Sequence, residues 1–393
     1  MKLIKGPVFH GAITDLSTIG VSVSAEPLPG SQPYAIVGGR SNARWWLVPL
    51  GNGQVTASSF ALFQPLLASA RIMKLVVCML SLMGLSRLWA KNKIYLSGAS
   101  KLDAYFPCLA EPAYAYFTGT DSPHRKVAVQ VMDSKGHIKG FAKLGSIPQV
   151  VSLLQNETAM LEKLRALQLK AVHIPQVLYS GPMGEGYCLL TDTLKTPMTS
   201  SVTKFGQAHR DFLCELADAT ALPPTTAAKV AAGFERRIAH QEMQFDPIWR
   251  KRLQKAVETL AEDGQLVIPQ CMNHGDFTPW NTFIADGRLY VFDWEYAEDS
   301  GFLGNDIIHF VINQPQLRNK SALRKTTAVK LALIETLAGS AMQSPRLMIL
   351  TYLLKQTLFQ VERLLRRERE LCIWDGAEEL AAMFDFLFLK TEV

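Results

Sequence analysis

The chain has 393 residues, of which 48% are apolar and 19% charged; it has the length of roughly two to three domains and enough apolar surface for a sizeable core, which excludes a disordered chain. A net charge of +6, with a pI near 8.9, reads as too weak and too dispersed for a nucleic-acid binder, and it counts against a strongly polycationic substrate. The six cysteines form no C-x-x-C pair and no Cys/His cluster, so a disulfide framework and a zinc site are excluded and free thiols in a reducing compartment are expected.

In chain order, residues 1–57 are rich in Gly, Ser and Pro and read as short strands and loops. Lys2 and Lys5 precede no adequate apolar run, so no secretory leader is expected and the chain is placed in the cytoplasm. Ser58 or Ser59 can cap a long apolar helix over 58–93. Within it, Ile72–Ala90 is apolar almost all round and close to the length of a membrane span. Lys74 and Arg87 weigh against a span and favour a helix that is packed or lies in a membrane interface, which would bring the chain to the inner face of the membrane.

From about Lys101 the texture changes. Ala113–Phe117, Lys126–Met132 and His137–Lys143 are strand-like, and Asp133-Ser134-Lys135-Gly136 joins the last two as a hairpin. A helix follows over roughly 148–169 with Ser146 as its N-cap. Gln176–Ser180 and Tyr187–Thr191 suggest another strand pair. After Asp192 the chain is mainly helical, with helices expected at Lys204–Ala219, Thr225–Met243, Asp246–Glu262, Lys320–Leu337, Pro345–Arg367 and Ala377–Leu389. One β-like island interrupts them at about 266–293. The pattern is a β-rich lobe followed by a helical lobe, an α+β chain. Its expected divisions are an N-terminal extension at 1–100, a β-rich lobe at 101–192 and a helical lobe at 193–393.

The island carries the chemistry. It reads His274-Gly275-Asp276-Phe277-Thr278-Pro279-Trp280-Asn281, then, after a second apolar run, Asp293-Trp294-Glu295. Phosphoryl transfer needs a carboxylate to orient the attacking hydroxyl and accept its proton, and hard oxygen ligands for Mg²⁺. Asp276 can be that base, and Asn281 and Asp293 can hold the metal. A cation for the nucleotide phosphates is also needed, and Lys143 at a strand end can supply it. The next helix has an apolar stripe through Val150, Leu154, Leu161 and Leu164 that includes Glu157. A carboxylate on a buried face needs a partner, which singles out Glu157 as the counter-charge of Lys143. His274 reads as a brace for the loop. Glu295, Glu298 and Asp299 could bind a cationic acceptor, or be solvated loop charges.

The motif His274-Gly275-Asp276-x4-Asn281 with Asp293-Trp294-Glu295 resembles the aminoglycoside phosphotransferase and choline kinase superfamily. The resemblance implies a two-lobed, protein-kinase-like fold with a small β-rich N-lobe and a large helical C-lobe. It implies ATP and Mg²⁺, a catalytic Asp276, metal-binding Asn281 and Asp293, and nucleotide contacts at Lys143 and Glu157. By position it places the phosphate loop at Phe117–Arg125, with its single Gly119, and the base-ring site at Leu190 and Asp192. Asp306 matches a helix-start carboxylate of the family and is expected to be structural. Where the family often has His-Pro, this chain has Thr278-Pro279. The implied activity is transfer of the ATP γ-phosphate to a hydroxyl of a small molecule, such as a sugar, glycan, amino alcohol or aminoglycoside. A nucleotide-binding pseudokinase or regulatory module is the alternative. The resemblance covers about 110–311 and leaves 1–100 unexplained.

Overall fold

A computed structural model describes residues 7–39, 43–65, 68–240, 245–338, 344–365 and 376–389. The elements in order are α1 (Pro7–Thr18), β1 (Ser22–Ser24), β2 (Gln32–Gly39), β3 (Arg44–Pro49), α2 (Gly53–Ser58), α3 (Ala68–Leu82), β4 (Lys93–Ser97), β5 (Ala113–Phe117), β6 (Val127–Met132), β7 (Ile138–Gly145), α4 (Pro148–Leu167), β8 (Val172–His173), β9 (Val177–Met183) and β10 (Gly186–Thr191). Then come α5 (Gln207–Ala219), β11 (Leu222–Thr226), α6 (Ala227–His240), α7 (Pro247–Glu262), β12 (Val267–Asn273), β13 (Thr282–Ala285), β14 (Arg288–Val291), β15 (Glu298–Phe302), α8 (Asn305–Ile312), α9 (Ala322–Leu337), α10 (Pro345–Leu365) and α11 (Ala377–Leu389). The chain is α+β, β-rich in its first half and helical in its second. It divides into two compact units. The first takes Met1–Gln168, His173–Ser201 and Phe283–Glu295, and the second takes the remainder.

The first unit is built on one sheet of nine strands among the described residues, in the order β1-β4-β2-β3-β5-β6-β7-β10-β9. Each neighbouring pair is antiparallel. The valine alternation of β6 is that of a central strand, and Val127, Val129 and Val131 are fully buried. They join one core with Leu16 of α1, Ile19 just after it, Leu47 of β3, and Ile94 and Leu96 of β4.

This sheet departs from the expected bounds. Residues before 100 are no separate extension: β3 pairs with β5, with Trp46 opposite Phe117 and Leu47 opposite Tyr116. Strand pairing is decided by tertiary contact, so no local signal in either segment announces it. The segment 283–295 likewise belongs to the first unit rather than to the helical half.

The expected helix over 58–93 is also corrected. α2 ends at Ser58 with Asn52 as its cap, a short 3₁₀ turn spans Ser59–Leu62, and Phe63 is extended. Pro65 lies in the gap before α3, and the residue before a proline disfavours helix. α3 has 15 residues, about 22 Å of helix against a hydrocarbon layer of about 30 Å. No helix among the described residues is long and apolar enough to cross a membrane. Beyond α3, Gly84 takes a left-handed φ of 73° and the chain turns into β4.

Ser146 does not cap α4. The N-cap is Ile147, with Pro148 in the first turn, and the Ser146 hydroxyl donates instead to Asp15 Oδ1 at 3.0 Å. In the second unit the expected helices appear within a few residues of their bounds. α7 is capped by Asp246, whose carboxylate accepts from the Trp249 N–H. The stretches 241–243 and 366–367 of two expected helices, and Cys372, lie outside the described residues. Strands β11 and β15 flank β12 and were not apparent in the sequence.

Candidate functional site

Two clusters gather the residues singled out by sequence, one in each unit. In the first unit, Lys143 sits on β7 between β6 and β10, opposite Ala128 and Leu189. Its neighbours along the strand, Ala142 and Leu144, are fully buried, so the strand alternation aims Lys143 at the other face, towards α4. There Glu157 lies in the buried stripe of α4 and is 2% exposed. Lys143 Nζ donates to Glu157 Oε1 at 2.6 Å, and also to Glu157 Oε2 and to Asp293 Oδ1. The pair expected from helical phase is thus in contact, and Asp293 shares its ammonium.

A second cation, Lys126, stands just before β6. It bonds Glu295 Oε2 and lies 3.6 Å from Asp293 Oδ1. Neither Lys126 nor this role of Glu295 was apparent in the sequence. Glu295 is 5% exposed, so it is neither a solvated loop charge nor open to a cationic acceptor. Glu298, paired with Lys355 in the second unit, is likewise engaged. Burial pulls both lysines towards neutrality, but the surrounding carboxylates outweigh it and raise both pKa values, Asp293 and Glu295 for Lys126, Asp293 and Glu157 for Lys143. Burial pushes the Glu295 carboxyl upward against the opposing Lys126. Glu157, Asp293 and Glu295 bring carboxylate oxygens within 4.8 Å of one another, with the two ammonium groups among them.

Asp293 itself has a φ of 72°. A left-handed aspartate costs about 1 kcal/mol or more and persists where its surroundings fix it. Here the lysine contacts on its side chain do so.

Gly119 has a φ of 85°, and a Cβ there would collide with the Lys126 carbonyl and the Arg125 side chain, so the turn requires glycine. Its loop is held by Arg125, whose guanidinium donates to Asp15 Oδ2 at 2.7 Å and to the Thr118 carbonyl at 3.2 Å. Leu190 is buried on β10. Asp192 exchanges two bonds with Gln176, accepting from its N–H at 2.6 Å and donating to its carbonyl at 3.0 Å. Lys195 follows, 8% exposed, with its ammonium 5.5 Å from the ring centres of both Phe141 and Phe292. Burial, and then Lys74, lower its pKa to about 7.

In the second unit the loop after β12 carries Asp276 and Asn281. The Asn281 amide donates to the Asp276 carbonyl at 2.9 Å and to Asp276 Oδ2 at 3.0 Å. With its nitrogen committed, the donor atom Asn281 has for a hard cation is its carbonyl oxygen. The loop is braced from two sides. Asp306, at the start of α8, accepts from the backbone N–H of His274 at 2.7 Å and of Gly275 at 3.1 Å. The His274 ring is fully buried, and its Nδ1 accepts from the Asp276 N–H at 3.2 Å. Gly275 is left-handed, φ 80°, and a Cβ there would meet the Tyr296 carbonyl.

His309, which the sequence reading passed over, completes this cluster. Its Nε2 is 3.2 Å from Asp276 Oδ1 and its Nδ1 is 2.8 Å from the Tyr352 hydroxyl. A carboxylate only accepts, so Nε2 carries the hydrogen, which in the neutral ring leaves Nδ1 to accept from the Tyr352 hydroxyl. The signal was present: α8 is buried throughout, and its ionisable members Asp306 and His309 lie three residues apart, on one side of the helix.

Residues 127–316 match the model of a family described as the Phosphotransferase enzyme family. No curated protein matches the chain. Among solved structures, similarity is found to a thermostable mutant of aminoglycoside phosphotransferase APH(4)-Ia in its apo form, at 14% identity and a TM-score of 0.49, covering 74% of this chain and 98% of that one. The macrolide 2'-phosphotransferase MphH of Brachybacterium faecium gives 17% identity and a TM-score of 0.43 over 66% of this chain and 88% of that one. A putative fructosamine-3-kinase of Haemophilus somnus gives 12% and 0.42 over 66% and 87%. Lys143, Glu157, Asp276, Asn281 and Asp293 all fall within this matched segment, and the resemblance read from the sequence is borne out.

Proposed function

We propose that the chain transfers the γ-phosphate of ATP to a hydroxyl group of a small molecule, with Asp276 as the base. The observation that carries this reading is the fixed Asp276 carboxylate, held by the Asn281 amide on one oxygen and by His309 on the other. The acceptor hydroxyl gives its proton to Asp276 as its oxygen bonds to the γ-phosphorus. The bond from that phosphorus to the β,γ-bridging oxygen breaks, and ADP leaves with the electron pair.

Lys143, oriented by Glu157, would carry the phosphate charge, with Lys126 as a second cation beside it. Gly119 would let the loop backbone approach the phosphates. The backbone around Leu190 and Asp192 would hold the base ring. Asn281 and Asp293 offer the hard oxygen donors that Mg²⁺ prefers, and the ion would screen the charge on the phosphate oxygens when bound.

Two measurements on the full chain test the reading. Mg·ATP should raise the melting temperature, since a ligand of the native state alone stabilises it. ADP release should then appear with a member of a hydroxyl-compound panel. Asp276→Asn should keep the thermal shift and lose turnover by about 10²-fold or more. Full turnover in that variant overturns Asp276 as base. Nucleotide binding with no turnover on any acceptor would favour the pseudokinase alternative.

A further inference from the structure

The helix α3 faces the wrong way for a packed amphipathic helix. Its inward stripe is Lys74, Val77, Cys78 and Ser81, of which Ser81 is fully buried and Lys74 half-buried. Lys74 Nζ donates to the Phe63 carbonyl at 2.8 Å and the Ser81 hydroxyl to the Val77 carbonyl at 2.7 Å. The outward side carries Ile72, Leu75, Val76, Met79 and Leu82, continued by Met83 just past the helix end, each between 49 and 64% exposed. At 3.6 residues per turn they span an arc of about 120°. Among the described residues, eight of the nineteen exposed large apolar side chains fall between Ile72 and Leu88. A clustered apolar face of this kind marks an interaction surface.

Charge indicates what covers it. Between Glu26 and Asp103 the chain has no acidic residue and eight basic ones. This stretch contributes +8, so the rest of the chain sums to −2 and the whole to +6. The positive excess is therefore not dispersed, as composition alone suggested, but confined to the stretch that contains α3. Arg71 lies at the edge of the apolar arc, and Arg87, Lys91 and Lys93 follow in the next turn and strand, all exposed. A second copy of this chain would bring two segments of like positive charge together, which electrostatics opposes. An outward apolar face on a segment that carries cations and no carboxylate is the arrangement of a helix that lies in the plane of an anionic lipid surface.

We infer that α3 and its basic flanks dock the protein on an anionic bilayer, with Ile72, Val76, Met79 and Met83 entering the interface. This inference does not depend on the phosphotransfer reading.

The test is co-sedimentation of the full chain with vesicles of phosphatidylcholine alone or of phosphatidylcholine mixed with phosphatidylglycerol. Binding is expected to the mixed vesicles, and to weaken in about 0.5 M salt, where the Debye length is roughly 4 Å. Each basic residue at an anionic surface is worth about fivefold, so Arg71→Glu with Arg87→Glu should lower partitioning by about tenfold or more. Val76→Gln with Met79→Gln should lower it comparably while leaving the melting temperature and the Mg·ATP shift unchanged. No binding to the mixed vesicles, or equal binding to both kinds, overturns the inference. So does a dimer in solution that the Val76 and Met79 changes dissociate.

Discussion

The carboxylate of Asp276 meets two neighbours of different character. Asn281 came with the motif and was legible five residues away, because one short loop holds both side chains at a fixed spacing. His309 is 33 residues away; its place three residues after Asp306 was a signal in the sequence, but its contact with Asp276 was not legible, because it depends on how α8 packs under the loop. In the proposed reaction His309 touches Asp276 rather than the acceptor, which makes it a positioning residue. His309→Leu is expected to lower kcat by about 10–100-fold, the range typical of residues that orient a functional group, with KM for ATP little changed. Tyr352→Phe should do the same more weakly. Steady-state kinetics with ATP as the varied substrate distinguishes this from a loss of fold, which would move both constants. For Lys143 the outcome differs. Lys143→Met removes the principal cation from Glu157 and Asp293 and should cost about 3 kcal/mol of stability, as when one member of a buried pair is lost. Lys143→Met with Glu157→Met should recover most of that stability in denaturant titration and none of the turnover. Glu157 itself was readable from periodicity alone, since a carboxylate inside an apolar stripe must find a cation. Lys126 sits before a valine-rich strand with no such phase signal.

At the scale of elements, α5 carries a buried histidine that sets a pH dependence. His209 is 1% exposed, its Nδ1 accepts from the Gly206 N–H at 3.1 Å, and its ring lies among Phe205, Phe277 and Phe310. Burial lowers its pKa from 6.5 to about 4. The folded state holds the neutral ring while the unfolded state binds a proton at higher pH. Its contribution is therefore present above the unfolded value and is lost as pH falls through the folded one, a difference of about 3 kcal/mol. Thermal melts between pH 7 and 4 should show this decline, and His209→Gln should flatten it. Elements legible from sequence were those with strong local chemistry, such as α7 with Asp246 and Pro247 at its start. The break before α3 was carried by a single proline within an apolar run, and apolar continuity masked it. Strands β11 and β15 are short and partly exposed, without the alternation that reveals a strand.

For the whole molecule, the joining of β3 to β5 decides what the first hundred residues are. The motifs that carry the resemblance begin after Lys101, so the sequence left that part of the chain unexplained. In the structure it supplies four of the nine strands and one side of the core. A chain begun at residue 101 would expose the β5 edge and the apolar side chains that α1 and β4 cover, a template for aggregation. It is expected to be insoluble, or to melt without the Mg·ATP shift of the full chain. A soluble truncated chain with the full shift would refute this.

The Asp15 carboxylate, which accepts from Arg125 and from Ser146, ties α1 to two places 110 and 131 residues further along. Contacts so distant in sequence are slow to close, because the intervening chain must be ordered first. The loop at Gly119 and the entry to α4 then settle only when the first helix docks. Amide exchange across 118–126 becomes a clock for that event, and Asp15→Asn should quicken exchange there while leaving the interior of β6 protected.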